Sequence, residues 1–189
     1  MLIALICGSI AEKSHTKSLL KYIEVLLKEQ KIKTVIWDLK EKPLSTAIPE
    51  FHKNPMESPD KNVKEFVSLI TKSDGFVLGS PLYHGSYSGV LKNALDNLYF
   101  DAFRNKPVAL VSNSSSIRNV DHPCEHLRLV VRALFGYVLQ CQIGTANTDY
   151  EEEKDEYILT NEEIIERCHR LAQELISFTA VLKTNAINK

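Results

Sequence analysis

A chain of 189 residues, 44% hydrophobic and 25% charged, has the size and composition of a single globular domain, which excludes wholesale disorder. Folding at this length buries about 70% of the unfolded surface, enough for a core without disulfides or metals. Twenty-three basic residues against 24 acidic ones leave a formal net charge of −1, so no overall field draws the chain to nucleic acid or an anionic membrane.

The four cysteines, Cys7, Cys124, Cys141 and Cys168, lie far apart with no Cys-x-x-Cys pair. They read as free, buried thiols in a reducing compartment. The run Met1 to Cys7 is apolar, lacks a basic leader and is too short to span a bilayer. No later stretch reaches the roughly 18 apolar residues of a spanning helix. A cytoplasmic protein of one domain over residues 1–189 is expected.

In chain order, Leu2 to Cys7 reads as a buried strand, and Gly8 to His15 as a polar turn. Leu19, Leu20, Ile23, Leu26 and Leu27 then recur at helical spacing. Lys33 to Leu39 forms a second strand, and Glu41 to Asp60, with Pro43, Pro49, Pro55 and Pro59, a long loop. Val63, Phe66, Val67 and Ile70 mark a helix, Gly75 to Gly79 a third strand, and Gly89 to Phe100 another helix. Pro107 opens a fourth strand ending at Ser112, Leu127 to Phe135 is helical, Tyr137 to Ile143 is the fifth strand, and Ile164 to Leu182 the closing helix. The acidic run Glu151 to Glu156 reads as a solvated loop.

Five strands alternating with helices predict a parallel sheet covered on both faces, an α/β/α sandwich. Ligands in such folds sit beyond the carboxyl ends of the strands, near the switch in strand order. The loops after strands one, three and four therefore hold the candidate site. The first, Gly8-Ser-Ile-Ala-Glu-Lys-Ser-His-Thr-Lys-Ser-Leu19, offers hydroxyls at Ser9, Ser14, Thr16 and Ser18 and charge at Lys13 and Lys17 where a helix opens. Such a loop is either an anion site suited to a phosphate monoester or a capped helix start. It matches neither the P-loop nor the dinucleotide fingerprint. In the second, Gly79-Ser-Pro-Leu-Tyr-His-Gly-Ser86 and onward, Pro81 and the glycines at 85 and 89 let backbone approach a flat ligand while Leu82 and Tyr83 cover a face. A wide strand-to-helix turn is the alternative.

Together these loops resemble the NADPH-dependent FMN reductase family of flavodoxin-like proteins, whose patterns are G-S-x-R-x-x-S-x-N-x-x-L and P-x-Y-x-G/A-S/A-x-x-G-x-L-K-x-x-L-D. Gly8, Ser9, Ser14 and Leu19 match the first pattern, and Pro81, Tyr83, Gly85, Ser86, Gly89, Leu91, Lys92, Leu95 and Asp96 match the second. The resemblance implies a flavodoxin-like three-layer fold on a five-stranded parallel sheet, FMN as cofactor and NAD(P)H as reductant. It implies that Ser9, Ser14 and Thr16 hold the FMN phosphate and that Pro81, Leu82, Tyr83, His84, Gly85 and Ser86 border the isoalloxazine ring. Asn113 and Ser114, in a third loop that carries serines where the family has glycines, would meet the ring's pyrimidine edge. Two positions depart from the pattern: Ala11 replaces the usual Arg and Thr16 the usual Asn. Losing a guanidinium removes a charge-assisted phosphate contact that Lys13 could replace.

Tyr87-Ser88-Gly89 and Trp37-Asp38-Leu39 are most similar to flavin reductases that supply reduced FMN to two-component monooxygenases. The resemblance thus implies an FMN reductase, a homodimer or homotetramer built on the helix from Gly89, and a flavin-dependent monooxygenase as a partner. An FMN-retaining reductase of quinones, azo dyes or metal oxyanions is the alternative, with an electron carrier and a non-catalytic interaction module as further readings. Arg118 and His122 are candidate contacts for the nicotinamide nucleotide's phosphates. His122 and His126 lack the acidic residue of a zinc motif, and no metal is expected. No nucleophile–base set emerges, as befits cofactor-borne chemistry.

Overall fold

The computed structural model describes residues 1–187. Its elements are β1 Leu2–Cys7, α1 His15–Glu29, β2 Lys33–Asp38, α2 Lys61–Lys72, β3 Gly75–Pro81, α3 Gly89–Asp96, β4 Pro107–Ser114, α4 His122–Ala133, β5 Tyr137–Ala146, β6 Tyr150–Glu153, β7 Glu156–Leu159 and α5 Glu162–Ile187. The five apolar runs form one sheet in the order β2-β1-β3-β4-β5, with every neighbouring pair parallel.

Alternation along each strand sorts the core into two layers. Ile3, Leu5, Cys7, Val77, Ala109 and Val111 face α1 and α5, meeting Leu19, Leu20, Ile23, Leu27, Leu171 and Leu175. Ala4, Ile6, Phe76, Leu78, Val108 and Leu110 face α2, α3 and α4, meeting Phe66, Ile70, Leu91, Leu95, Leu127 and Val131. Buried on both faces, the inner strands need continuous apolar runs, which explains why β1, β3 and β4 read so plainly. The result is the flavodoxin-like α/β/α sandwich expected.

Several boundaries move, each for a local reason. The helix opened by Gly89 stops at Asp96, where Asn97 caps it with its amide to the Asn93 carbonyl, while the Asn97 side chain donates to the Ser45 carbonyl at 3.1 Å. α4 starts at His122 instead of Leu127, because Pro123 suits a first helical turn. β5 runs on to Ala146 through an irregularity opposite Val108–Leu110. There the Glu174 carboxylate accepts from the amides of Gln140 (3.0 Å) and Cys141 (3.3 Å), so the bulged edge is satisfied by a side chain.

The acidic run Glu151–Glu156, expected as a loop, is an antiparallel hairpin of β6 and β7, in register from Tyr150 opposite Leu159 to Glu153 opposite Glu156. Its glutamates point to solvent, but Tyr150 and Leu159 join the core, which gives the ribbon one buried face. Among the described residues no helix is long and apolar enough to cross a membrane.

All four cysteines are free. Burial pushes the thiols of Cys7, Cys124 and Cys168 up to about 12; burial and the nearby Glu174 also raise Cys141, but it is half-buried on the edge strand and open to reagent. At pH 8 the three buried thiols hold almost no thiolate. Brief iodoacetamide treatment of native protein is therefore expected to add one adduct, at Cys141, and four in denaturant. Rapid native alkylation of Cys7, Cys124 or Cys168 would contradict the packing.

Candidate functional site

Strand order reverses between β1 and β3, since β1 leads to α1 on one face and β3 to α3 on the other. The carboxyl ends of these strands part there and leave a crevice. Its floor is a close approach: the Gly8 amide donates to the Gly79 carbonyl at 2.8 Å. A Cβ on Gly8 would meet that carbonyl and the Leu91 Cβ, both at 2.9 Å, so only glycine permits it. Ser88 ties the parts together. Its hydroxyl donates to the Gly8 carbonyl at 2.6 Å and accepts from the Leu91 amide as the cap of α3, and its own amide donates to Ser80 Oγ at 2.9 Å.

Above this floor lies a cavity of about 330 Å³ lined by Ser9, Ala11, Lys13, Ser14, His15, Thr16, Pro81, Leu82, Tyr83, Asn113, Ser114, Ser115 and Asn147. The ends of β1, β3, β4 and β5 all contribute to it. Ser9, Ser14 and Thr16 cluster at one end, and all three are buried. Ser14 caps α1, accepting from the Lys17 amide at 3.2 Å, which leaves its hydroxyl proton free to donate. The first amides of α1 have no intrahelical acceptor and carry the positive end of the helix dipole. Among the described residues no buried side-chain nitrogen or oxygen lacks a partner.

The two lysines of this loop differ from expectation, because both already have partners. Lys17 Nζ sits 2.7 Å from Asp38 and 2.6 Å from Glu41; those two hydrogen bonds hold its pKa above the usual lysine value. It binds β2 to α1 and does not line the cavity. Lys13 does line it, with its ammonium 2.6 Å from Glu152 and 2.9 Å from the Lys154 carbonyl. The anion end thus presents neutral donors plus one ion-paired lysine.

The other end carries more apolar side chains. Pro81, Leu82 and Tyr83 form its wall, and Leu82 is latched to the end of β4 by its amide, which donates to the Asn113 carbonyl at 2.7 Å. Asn113 Nδ2 in turn donates to Thr145 Oγ1 at 3.3 Å. His84, Gly85 and Ser86 stand outside the cavity lining, on a two-residue turn. His84 (φ +48°) and Gly85 (φ +82°) are both left-handed, while Tyr83 and Ser86 pair amide to carbonyl in both directions. That is the twist a tight hairpin needs. Ser86 Oγ lies 2.9 Å from His126 Nδ1, pinning the turn to α4. Arg118 and His122 are exposed and lie outside the lining. Sequence reasoning passed over His15, Ser115 and Asn147. Asn147 directly follows β5, and inspecting that strand's carboxyl end along with the others would have found it.

A larger surface trench of about 760 Å³ runs beside β5, lined by residues including Arg128, Arg167 and Glu174. Several of its polar groups are already engaged: Arg128 bonds Gln142, Arg167 bonds the Gln142 carbonyl, and Glu174 serves the bulge. It also flanks the middle of the strand, away from the carboxyl ends. No cluster of three or more metal-ligating side chains occurs among the described residues.

Residues 1–149 match the family described as NADPH-dependent FMN reductase. An FMN-dependent NADPH-azoreductase of Staphylococcus saprophyticus is 41% identical over 175 residues, which cover 92% of this chain and 93% of that one. Among solved structures, an oxidoreductase from Corynebacterium diphtheriae superposes with a TM-score of 0.72 at 20% identity, over 95% of this chain and 96% of that one. A flavodoxin from the domain Archaea gives 0.60 at 8% identity, over 95% and 99%. The two structural likenesses establish the fold.

Ser88→Ala removes a helix cap and leaves the buried Gly8 carbonyl without its donor, a combined loss of about 2 kcal/mol. Urea unfolding is expected to show that loss, and the variant to bind flavin more weakly. Unchanged stability would mean that Ser88 does not join the two loops.

Proposed function

The chain belongs to the NADPH-dependent FMN reductase family, and from that premise we propose that it is an NAD(P)H-dependent oxidoreductase that retains FMN and reduces a second acceptor, an azo compound or a quinone. The observation that carries this reading is one cavity lined both by the hydroxyl-bearing start of α1 and by Pro81, Leu82 and Tyr83. Its donor set fits a phosphate monoester joined to a planar ring. Ser9, Ser14 and Thr16 would hold the phosphate with the first amides of α1. Pro81, Leu82 and Tyr83 would cover the ring, with His84, Gly85 and Ser86 at its outer border and Asn113 and Ser114 toward its polar edge.

The chemistry FMN supplies when bound is two-electron transfer between a nicotinamide and an acceptor. The chain's part is to bind, orient and exclude water. The bond from Leu82 to Asn113 keeps the wall and the end of β4 at a fixed spacing, and the Ser86–His126 contact ties the outer turn to α4. No ionisable side chain of this chain is required for hydride transfer itself.

Retention is favoured over release to a monooxygenase by two considerations. The relative at 41% identity is named as an azoreductase. In addition, the residues most similar to the releasing reductases have structural tasks here. Trp37 packs on Phe66 at 5.3 Å between ring centroids, Asp38 pairs with Lys17, and Ser88 caps α3. The reading includes a homo-oligomer. Tyr99, Phe100, Leu129 and Phe135 are exposed beside α3 and α4, the apolar face such an assembly would bury.

Protein purified and loaded with FMN is expected to keep it through gel filtration and to elute with a light-scattering mass of at least twice 21.4 kDa. Anaerobic NADPH should bleach the bound flavin, and an azo dye should restore its colour with loss of the dye. Turnover of free FMN with no retained flavin would favour the releasing reductase instead, and failure of NADPH to bleach would remove the nicotinamide step.

A further inference from the structure

The hairpin of β6 and β7 follows directly on residues 1–149, the segment matched by the family. It does not stand apart from the site. The His15 ring stacks on Tyr157 at 3.5 Å between centroids and 11° between planes, and meets Tyr150 edge-on at 5.0 Å. Lys21 pairs with Glu156 at 3.0 Å. Tyr150 Oη donates to Thr145 Oγ1 at 3.0 Å, which ties the ribbon to the carboxyl end of β5. The first turn of α1, where the anion end of the cavity lies, is therefore packed against this ribbon.

Lys13 stands at the contact. Its ammonium faces Glu152 at 2.6 Å, the Lys154 carbonyl at 2.9 Å and the Tyr157 ring at 4.8 Å, and it is the one lysine or arginine in the described cavity lining. The neighbouring cations are engaged elsewhere, Lys17 by Asp38 and Glu41 and Lys40 by Glu12. Position 11 supplies only alanine. For an anion among Ser9, Ser14 and Thr16, Lys13 is the one lysine or arginine of the described lining, and its ammonium is already bonded to Glu152.

We propose that Glu152 competes with the flavin's phosphate for the ammonium of Lys13, so that the β6–β7 hairpin sets how tightly phosphate-bearing flavin is held. The proposal rests on the reading of the cavity as an FMN site. Glu152 is 68% exposed and Lys13 20%, so the carboxylate returns to water easily while the ammonium stays at the cavity. A phosphate monoester carries nearly two negative charges at neutral pH and accepts the ammonium in a charge-assisted bond. The freed carboxylate remains nearby and repels the phosphate, which holds affinity below what the donors alone would give. Riboflavin, lacking the phosphate, feels neither effect.

The test measures dissociation constants for FMN and riboflavin by flavin fluorescence at 0.15 M salt, with the full chain and its variants. Glu152→Gln is expected to tighten FMN by about threefold, the scale of a partly exposed ion pair, and to leave riboflavin unchanged. Lys13→Gln is expected to weaken FMN by about tenfold, as loss of a charge-assisted bond should, again without affecting riboflavin. In the double variant the Glu152 effect should shrink. Glu156→Gln makes the same charge change on the same hairpin opposite Lys21, and should leave the FMN-to-riboflavin ratio unmoved. A ratio insensitive to Glu152→Gln, or a change shared equally by both flavins, overturns the proposal while leaving the FMN site standing. A wild-type chain that binds neither flavin overturns both.

Discussion

Where β1 and β3 end side by side, the chain leaves the sheet toward opposite faces, and the two backbones must nearly touch before they part. The 2.8 Å bond from the Gly8 amide to the Gly79 carbonyl, in a space that admits no side chain on Gly8, is that contact. Everything above it depends on the spacing it sets. The start of α1 rises from one side and the Pro81–Tyr83 wall from the other, and Ser88 holds both through the Gly8 carbonyl. The sheet order β2-β1-β3-β4-β5 makes this the single reversal in the fold and places the crevice there.

Electrostatics decides what kind of crevice it is. The first loop is rich in lysine, yet its ammonium groups are matched against carboxylates from β2 and the region after it and from the β6–β7 hairpin. What a ligand meets is a set of neutral hydroxyls, the leading amides of a 15-residue helix and one lysine already shared with Glu152. Such donors hold an anion through direction as well as charge. The near-neutral net charge of the chain agrees with local matching in place of a general field.

The strands, the two-layer core and most of the segments that line the cavity were legible because each is written locally. An apolar run such as Leu2–Cys7 needs no partner to be recognised, and hydroxyls before a helical period announce a helix start. What escaped was written across distance. The hairpin 150–159 looks like a charged loop because only Tyr150, Tyr157, Ile158 and Leu159 interrupt its polar residues, and its stability comes from docking on α1 and the core. The pairing of Lys13 with Glu152 spans 139 residues, beyond the reach of any periodicity. The left-handed backbone at His84 is likewise invisible, since that position gives no glycine signal. Asn147 was legible in principle: the rule that strand ends line the crevice applies to β5 as it does to β1, β3 and β4.

The central claim is that one cavity at the β1–β3 divergence receives the flavin, phosphate toward α1 and ring toward Pro81–Tyr83. Amide chemical shifts in a ¹⁵N-labelled chain titrated with FMN test it most directly. The largest shifts are expected at residues 9–16, 82–86, 113–116 and 147, with smaller ones along the hairpin 150–159. Shifts concentrated at Arg128, Gln140–Gln142 and Arg167, in the trench beside β5, with the first loop unmoved, would contradict it.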